Sequence, residues 1–343
     1  MNGKARPKKR AFSVVYPNRW IMDIETALDE FCIEQEALGN RPRTIGTYRQ
    51  RIMKMVRWLE SGGHGRSLDS CTRSTINLYV AWLRTNKTRH ADNPHRPTVS
   101  GELSRNTVNS HIRDMKVFFK WCVDLEYLGK NPVSHLRRIK TEHGKKGRMM
   151  SYQDFRQLLP MVIDMSLSDE PCDVRDAAMW LLVADTACRS GELISLTTKT
   201  CCEVAGKNTF KCWVEQSKVE KGWIYYGEVT SRAVKRWLEM RPGCNHDLLW
   251  VGLGNKYLGR PMTTSGVYQS FRRIAQIENV TRNYSPHALR HLNGWWYTDR
   301  YGVVVAQHKL RHKSHMVTGH FYANVDDSDV IEKTRLGSLV QVS

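Results

Sequence analysis

Apolar residues in the first third of the chain recur at intervals of three or four positions, the spacing that places them on one face of an α-helix. Three long stripes have this spacing: Ile24, Leu28 and Phe31; then Ile45, Tyr48, Ile52, Met55, Val56 and Leu59; then Val108, Ile112, Met115, Phe119, Cys122 and Leu125. A shorter helix is predicted over residues 75–83, and Gly129 followed by Pro132 is a typical helix stop. The pattern predicts a bundle of four helices between residues 23 and 128.

The pattern changes after residue 149, where a capped helix and a wholly apolar helix are predicted. Ser151 is expected to cap a helix that carries Phe155, Leu158 and Leu159. Residues 177–187 form an apolar run that suits a buried helix. This part of the chain therefore begins with helices that pack into a second core.

Two segments rich in aromatic and β-branched residues, 210–216 and 223–229, lie on either side of a polar turn. This arrangement predicts two antiparallel strands. Thr230 is expected to cap the next helix, and Ser285-Pro286 to begin another with proline at its first position. The predicted fold is mainly α with a small antiparallel β-sheet, built as a helical N-terminal domain plus a mixed α/β domain.

The charge of the chain indicates the kind of partner it binds. Lysine and arginine number 53 against 34 acidic residues, a net charge of +19. This surplus favours a polyanion, because each phosphate contact releases condensed counterions, although a ribosome-associated or membrane-surface protein would share it. No stretch approaches the ~20 apolar residues of a spanning helix, and the basic N-terminus lacks the apolar run of a signal peptide. We expect a cytoplasmic protein with no membrane partner.

The cysteine and histidine spacing disfavours a metal site. The nine cysteines are scattered, odd in number and without a Cys-x-x-Cys pair, which is typical of free thiols in a reducing cytosol. His287 and His291 are four residues apart, as in a zinc-binding helix, but Ala288 stands where a metalloprotease helix needs glutamate. We expect no metal and no other cofactor.

Four short segments in the second half carry candidate chemistry. They are residues 186–193 (Thr-Ala-Cys-Arg-Ser-Gly-Glu-Leu), 287–291 (His-Ala-Leu-Arg-His), 310–312 (Leu-Arg-His) and 321–323 (Phe-Tyr-Ala). An arginine fork can donate two hydrogen bonds to a phosphate, so a pair of arginines balances the charge of a pentacoordinate transition state. Histidine exchanges a proton near neutral pH, and tyrosine is an oxygen nucleophile. The set suits attack on a phosphodiester without metal or ATP.

The order Arg…His-x-x-Arg…His…Tyr, with the first arginine in Thr-x-x-Arg-x-Gly-Glu-Leu, resembles the tyrosine recombinase (phage integrase) family. The resemblance implies that Arg189 and Arg290 clamp the phosphate. It also implies that His287 accepts a proton or donates to the phosphate, and that His312 hydrogen-bonds to the scissile phosphate. Tyr322 is then the nucleophile that forms the covalent intermediate.

The general acid is a lysine in a β-turn in this family, and the resemblance assigns it to Lys218, with Lys221 as the alternative. Two features depart from the family pattern. Arg311 stands where the family usually has glycine, which either alters the local turn or adds a DNA contact. Tyr322 follows His312 by ten residues, where nine is common.

The resemblance also implies that the helical domain and a basic linker bind DNA. Helix N-termini and basic side chains can meet phosphates, although N-capping or a solvated charge is the better explanation of any one residue. The predicted contacts are Arg41, Arg43, Arg49, Arg105, Asn106, Thr107, Arg137, Arg138, Lys140, Lys145 and Lys146.

Charge and turn residues predict five segments. They are a basic arm at 1–19, a helical core DNA-binding domain at 20–136, a basic linker at 137–148, a catalytic domain at 149–325 and a tail at 326–343 that family members often pass to a neighbouring protomer.

The implied function is a site-specific recombinase or integrase that cleaves and rejoins strands through a 3′-phosphotyrosine. Its implied partners are double-stranded DNA with inverted-repeat sites, a homotetramer on two such sites, and an accessory DNA-bending or directionality factor. The implied context is prokaryotic, in a phage or a mobile element. Two alternatives stay open: relaxation of supercoils as by a type IB topoisomerase, and a DNA-binding regulator with a decayed active site.

Overall fold

Helices form most of the part of the chain that the computed structural model describes. The described residues are 22–85, 88–89, 99–140, 149–215, 221–282, 284–311, 331–332, 334–335 and 339–340. They fall into two compact units, which divide between residues 143 and 144. None of the described helices is long and apolar enough to cross a membrane.

The first unit contains four α-helices and one short antiparallel strand pair among its described residues. Their bounds are α1 Ile24–Ala37, α2 Pro42–Ser61, α3 Arg73–Thr85, β1 Thr88–Arg89, β2 Val99–Ser100 and α4 Arg105–Asp124. The predicted stripes meet in one core around Phe31, whose ring centroid lies 5.6 Å from that of Phe118 and 5.5 Å from that of Trp121. Leu125 is the exception: α4 ends before it, and it is 44% exposed. The predicted helical bundle is confirmed.

The second unit wraps helices and a small sheet around one buried helix. The elements are α5 Tyr152–Ser166, α6 Pro171–Thr186, α7 Ser190–Leu193, β3 Glu203–Gly206, β4 Thr209–Val214, β5 Gly222–Gly227, α8 Glu228–Met240, α9 Thr264–Ile277 and α10 Pro286–Leu310. Every residue of α6 from Val174 to Thr186 is buried, against α5, α8, α9, α10 and β5. The helix stops at Ala187, which takes the left-handed conformation with φ 53°. The predicted buried helix is therefore present, and Arg189 follows shortly after its end.

Two of the predicted helix caps are found where the sequence places them. The Ser151 hydroxyl accepts a hydrogen bond from the Asp154 amide at 2.9 Å. The Ser285 hydroxyl accepts one from the Ala288 amide at 3.2 Å, and Pro286 is the first residue of α10. Each hydroxyl satisfies an amide that the first turn of a helix leaves without a partner.

The predicted strand pair is present and has a third member. β4 and β5 are antiparallel, with Phe210 opposite Tyr226 and Cys212 opposite Ile224. The strand β3, which the sequence pattern missed, pairs with β4 in the order β3-β4-β5. It is only four residues long and exposes Val204, so it lacks the apolar alternation that identifies a half-buried strand.

Thr230 does not cap α8, and this prediction was wrong. The helix begins at Glu228, the capping position belongs to Gly227, and Thr230 lies buried inside the first turn. The side chain of Asp185, in α6, binds the start of α8 instead. Its carboxylate accepts hydrogen bonds from the Gly227 amide at 2.7 Å and from the Thr230 hydroxyl at 3.0 Å. A carboxylate at a helix N-terminus is also favoured by the helix dipole. α6 is thus fastened to the start of α8 by one buried side chain.

Replacing Asp185 with alanine is expected to lower the free energy of unfolding by about 3 kcal/mol, because the change leaves two buried donors without their acceptor. Thr230→Val is the matched control: it removes one donor while keeping the side-chain shape, at a cost of about 1 kcal/mol. Urea unfolding followed by circular dichroism measures both. Equal losses for the two variants would contradict the capping role of Asp185.

Candidate active site

Arg189 lies at the junction that follows α6, where the chain turns into the single-turn helix α7. Its side chain is 26% exposed, and its Nη1 donates to Glu192 Oε1 at 2.9 Å. The Arg189 backbone amide donates to the other oxygen of the same carboxylate, also at 2.9 Å. Glu192 is buried, so its charge needs such partners. Glu192 therefore supports Arg189 from inside the protein.

Arg290 approaches the same junction from α10 and is almost fully buried, with 4% of its surface exposed. Its guanidinium donates to two backbone carbonyls, those of Ala187 and Leu310. Burial, reinforced by the nearby charge of Arg189, lowers the pKa of Arg290 to about 10. Arg290 therefore remains protonated at neutral pH, in a place where its charge is poorly solvated. The fold brings together the two arginines that stand 101 positions apart in the sequence.

His287 lies one turn before Arg290 on α10 but differs from it in burial. Arg290 is directed into the core, whereas His287 is exposed, as is His291. The rings of the two histidines are 4.3 Å apart between centroids, in an edge-to-face arrangement. An exposed imidazole one helical turn from Arg290 can exchange protons with groups that approach from outside.

Arg311, which stands in the place of a family glycine, contributes a third guanidinium. α10 ends at this residue, which takes the left-handed conformation with φ 50° and ψ 58° that glycine adopts most easily. Its Nη2 lies 2.9 Å from Glu192 Oε1, the oxygen that also binds Arg189, and its side chain is 15% exposed. The left-handed turn is present despite the missing glycine, and the Arg311 side chain is directed inward to Glu192.

Lys309 is a buried lysine near the end of α10 that sequence reasoning missed. Its Nζ donates to the Tyr225 carbonyl of β5 at 3.1 Å and to the Thr334 hydroxyl at 3.0 Å. Burial lowers the pKa of Lys309 to about 8, although the carboxylate of Asp185 opposes the shift. The contacts fasten the end of α10 to the strand that follows the predicted general-acid turn. Nothing in a local sequence pattern signals a lysine that is buried by residues 84 positions before it and 25 after it.

Three predicted catalytic residues, Lys218, His312 and Tyr322, lie outside the described residues. The alternative general acid, Lys221, is described: it is exposed, and its ammonium group pairs with the carboxylate of Glu215. Among the predicted DNA contacts, Lys145 and Lys146 also lie outside the described part of the chain.

The start of α4 and residues 137–140 are brought together in the first unit. Nη1 of Arg105 donates to the Lys140 carbonyl at 3.3 Å. Asn109 binds the backbone of Ile139 twice, from its amide group at 2.9 Å and through its oxygen at 2.8 Å. The exposed predicted contacts Arg105 and Lys140 therefore belong to one basic surface, and Arg137 is exposed three residues before Lys140.

The other predicted DNA contacts differ in what they already bind. Arg49 pairs with Asp29 at 2.6 Å, and the Thr107 amide donates to the Ser104 hydroxyl that caps α4. Arg41 and Arg43 are exposed at the start of α2. Asn106, in the first turn of α4, and Arg138 are exposed as well. The capping explanation thus holds for Ser104 and Thr107.

The chain combines a helical unit with a mixed unit in which three arginines gather around one buried carboxylate, and comparisons with known proteins identify the class of enzyme. Residues 149–329 match the sequence profile of the phage integrase family, and residues 28–128 match that of the phage integrase N-terminal SAM-like domain. The first profile covers more than half of the chain. The chain therefore belongs to the phage integrase family, and it is a site-specific DNA recombinase of the tyrosine type.

Individual relatives are distant in sequence but cover most of the chain. Tyrosine recombinase XerC of Alcanivorax borkumensis is 23% identical over 236 residues, 68% of this chain and 72% of the relative. Transposase A from transposon Tn554 of Staphylococcus aureus is 20% identical, with 92% of each chain covered. The predicted family and function are confirmed, and the topoisomerase and decayed-regulator alternatives are not favoured.

Solved structures share the fold. XerH site-specific recombinase, in a post-cleavage complex with a palindromic difH substrate, has a TM-score of 0.62 at 17% identity, covering 89% of this chain and 82% of its own. Lambda integrase residues 75–356, crystallised as a dimer on a COC′ core site, have a TM-score of 0.61 at 18% identity, covering 86% and 97%. The predicted fold class, mainly α with a small antiparallel sheet, is confirmed.

Proposed function

We propose that the chain cleaves and rejoins double-stranded DNA at specific sites through a 3′-phosphotyrosine on Tyr322. The observation that carries this proposal is the meeting of Arg189 and Arg290 around the end of α6, with the buried carboxylate of Glu192 behind Arg189. A phosphodiester is the ligand that two converging guanidinium groups hold best, since each can donate two hydrogen bonds to its oxygens. The clamp is held in place before substrate arrives, which is the condition for stabilising a transition state.

The electrostatics of Arg290 favour the charge that develops during the reaction. The pKa of Arg290 is lowered because the cation is buried, and so poorly solvated, and because the positive charge of Arg189 lies nearby. A phosphate oxygen that gains negative charge in the transition state attracts both cations more strongly than the same oxygen does in the bound substrate. The interaction is therefore stronger in the transition state than in the ground state, as catalysis requires.

The chemical step follows from this clamp. The phenol oxygen of Tyr322 bonds to phosphorus, and the bond from phosphorus to the 5′ oxygen breaks. His287 takes the phenol proton, Lys218 gives a proton to the leaving 5′ oxygen, and His312 hydrogen-bonds to a non-bridging oxygen. The 5′ hydroxyl of a partner strand then reverses the step and releases Tyr322. One phosphate ester replaces another, so no ATP is consumed and no metal is required.

The partners follow from the same family membership. We infer a homotetramer on two inverted-repeat DNA sites, together with an accessory DNA-bending or directionality factor. Support comes from relatives: lambda integrase has been crystallised as a tetramer bound to a Holliday junction. The similarity to a transposase supports a mobile-element context.

The described tail residue Thr334 is buried against Lys309 of its own chain, so exchange of the tail between protomers would require this contact to be remade.

A nicked suicide substrate tests the proposed function. Such a duplex loses the short strand end after cleavage, so the 5′ hydroxyl cannot return and the covalent complex accumulates. With its cognate site the protein is expected to form an adduct in the presence of a chelator and without ATP. Relaxation of supercoils at many sites without recombinant products would support a topoisomerase instead, and binding with no adduct would support a regulator.

Arg105→Ala is expected to weaken DNA binding to a similar degree on every sequence and to lower the slope of log Kd against log salt by about one, because the change removes one phosphate contact. Arg66→Ala is the matched control, since Arg66 is also an exposed arginine but lies among three carboxylates, those of Asp23, Glu25 and Glu60. Fluorescence anisotropy at several salt concentrations measures the slope. An unchanged slope for Arg105→Ala would remove this residue from the DNA interface.

A further inference from the structure

One oxygen of Glu192 receives two guanidinium groups. Oε1 lies 2.9 Å from Nη1 of Arg189 and 2.9 Å from Nη2 of Arg311. We propose that Arg311 is a positioning residue for the strand-cleavage reaction, which acts through Glu192 on the clamp arginine Arg189. This inference rests on the proposed function and assigns a task to the one residue of the clamp region that departs from the family pattern.

The charge balance explains why a second partner for Glu192 matters. A lone Glu192 paired with Arg189 would neutralise the arginine that has to meet the phosphate. With Arg311 sharing the same oxygen, the carboxylate divides its charge between two guanidinium groups, and each retains more of its own for an anion. The described cluster then consists of one carboxylate and three arginines, Arg290 included, and carries a net charge of +2 by formal count. A phosphodiester in its transition state carries close to two negative charges.

The backbone of the same turn is part of the arrangement. The Leu310 carbonyl accepts from Arg290, and the Arg311 carbonyl lies 3.5 Å from Nη2 of Arg189. Arg311 therefore touches the clamp on two sides, through its carbonyl at Arg189 and through its side chain at Glu192. Glycine in this position would keep the left-handed turn and the carbonyl contact but would remove the second donor to Glu192. The feature that distinguishes this chain from the family pattern is therefore the Arg311 side chain and not the turn.

The test compares Arg311→Gly and Arg311→Lys with wild type in single-turnover cleavage of a nicked suicide substrate at saturating DNA. For Arg311→Gly we expect the cleavage rate to fall by about ten- to a hundredfold, because Glu192 then pairs with Arg189 alone and leaves that arginine less charge for the phosphate. The Kd for DNA and its salt slope should stay unchanged, since Arg311 is turned to Glu192. Arg311→Lys should recover part of the rate, because its ammonium can still reach the carboxylate. Arg236→Ala, which breaks an exposed pair with Asp169 at 3.0 Å, is the matched control and should cleave like wild type.

A double-mutant cycle locates the effect at Glu192. If Arg311 acts through this carboxylate, the loss from Arg311→Gly in a Glu192→Gln background will be much smaller than in wild type. Three results would overturn the inference: a wild-type cleavage rate for Arg311→Gly, a salt slope lowered by about one, which marks a direct phosphate contact, or additive losses in the cycle. Wild-type protein that forms no adduct would instead defeat the proposed function, so the two failures are distinguishable.

Discussion

Arg290→Lys is expected to lower the rate of DNA cleavage at saturating DNA by about 10³-fold. Lysine keeps the positive charge but cannot reproduce the planar fork, which at this position binds two carbonyls and, in the proposed site, also holds the phosphate. The predicted DNA contacts of the first unit are untouched, so Kd should change far less than the rate. Single-turnover cleavage of a nicked suicide substrate, with anisotropy for Kd, separates the two effects.

The deficit of Arg290→Lys should also widen as the pH rises. Arg290 has its pKa lowered to about 10, so the wild-type residue stays protonated from pH 7 to pH 9. A lysine in the same place would face burial of the kind that lowers the pKa of Lys309 to about 8, and it would lose its charge across that range. The ratio of wild-type to mutant rates should therefore be larger at pH 9 than at pH 7. A constant ratio, or a deficit below about tenfold, would contradict the assignment of Arg290 as a buried phosphate clamp; Arg236→Lys serves as the control.

Sequence patterns predicted the parts of this fold that depend on neighbours along the chain. The stripes that include Phe31 and Phe119, the apolar run of α6 and the caps at Ser151 and Ser285 are local features, and each is found in the structure. The pairing of Arg189 with Glu192 could also be anticipated, because the two residues are three positions apart and α7 begins between them.

Features that depend on distant residues could not be read in this way. Thr230 follows a strand as a capping residue would, yet Asp185, 45 positions earlier, binds the start of α8 instead. The sequence left two explanations open for Arg311, and neither included Glu192, which is 119 positions away but only 2.9 Å distant in the fold. Burial of Lys309 has the same origin, since its partners come from β5 and from the tail. Polar contacts between residues that are far apart in the sequence produce no periodic pattern in it.

Tyr322→Phe is expected to abolish covalent DNA adducts entirely while leaving DNA affinity near that of wild type. The substitution removes only the phenol oxygen and keeps the ring, so packing and charge are preserved while the nucleophile is lost. No other group of the proposed site can replace it, because a guanidinium group is not a nucleophile and histidine acts there as a proton carrier. Tyr268→Phe is the matched control: Tyr268 is exposed, and its hydroxyl lies 3.3 Å from that of Tyr284.

Nucleophilic attack by Tyr322 is tested most directly by trapping wild type, Tyr322→Phe and Tyr268→Phe on the same nicked suicide substrate. Adducts are resolved on a denaturing gel, and the modified peptide is mapped by mass spectrometry. We expect adducts for wild type and Tyr268→Phe, with the DNA attached to the peptide that contains Tyr322, and none for Tyr322→Phe. An adduct formed by Tyr322→Phe, or a wild-type adduct mapped to any other residue, would contradict this expectation.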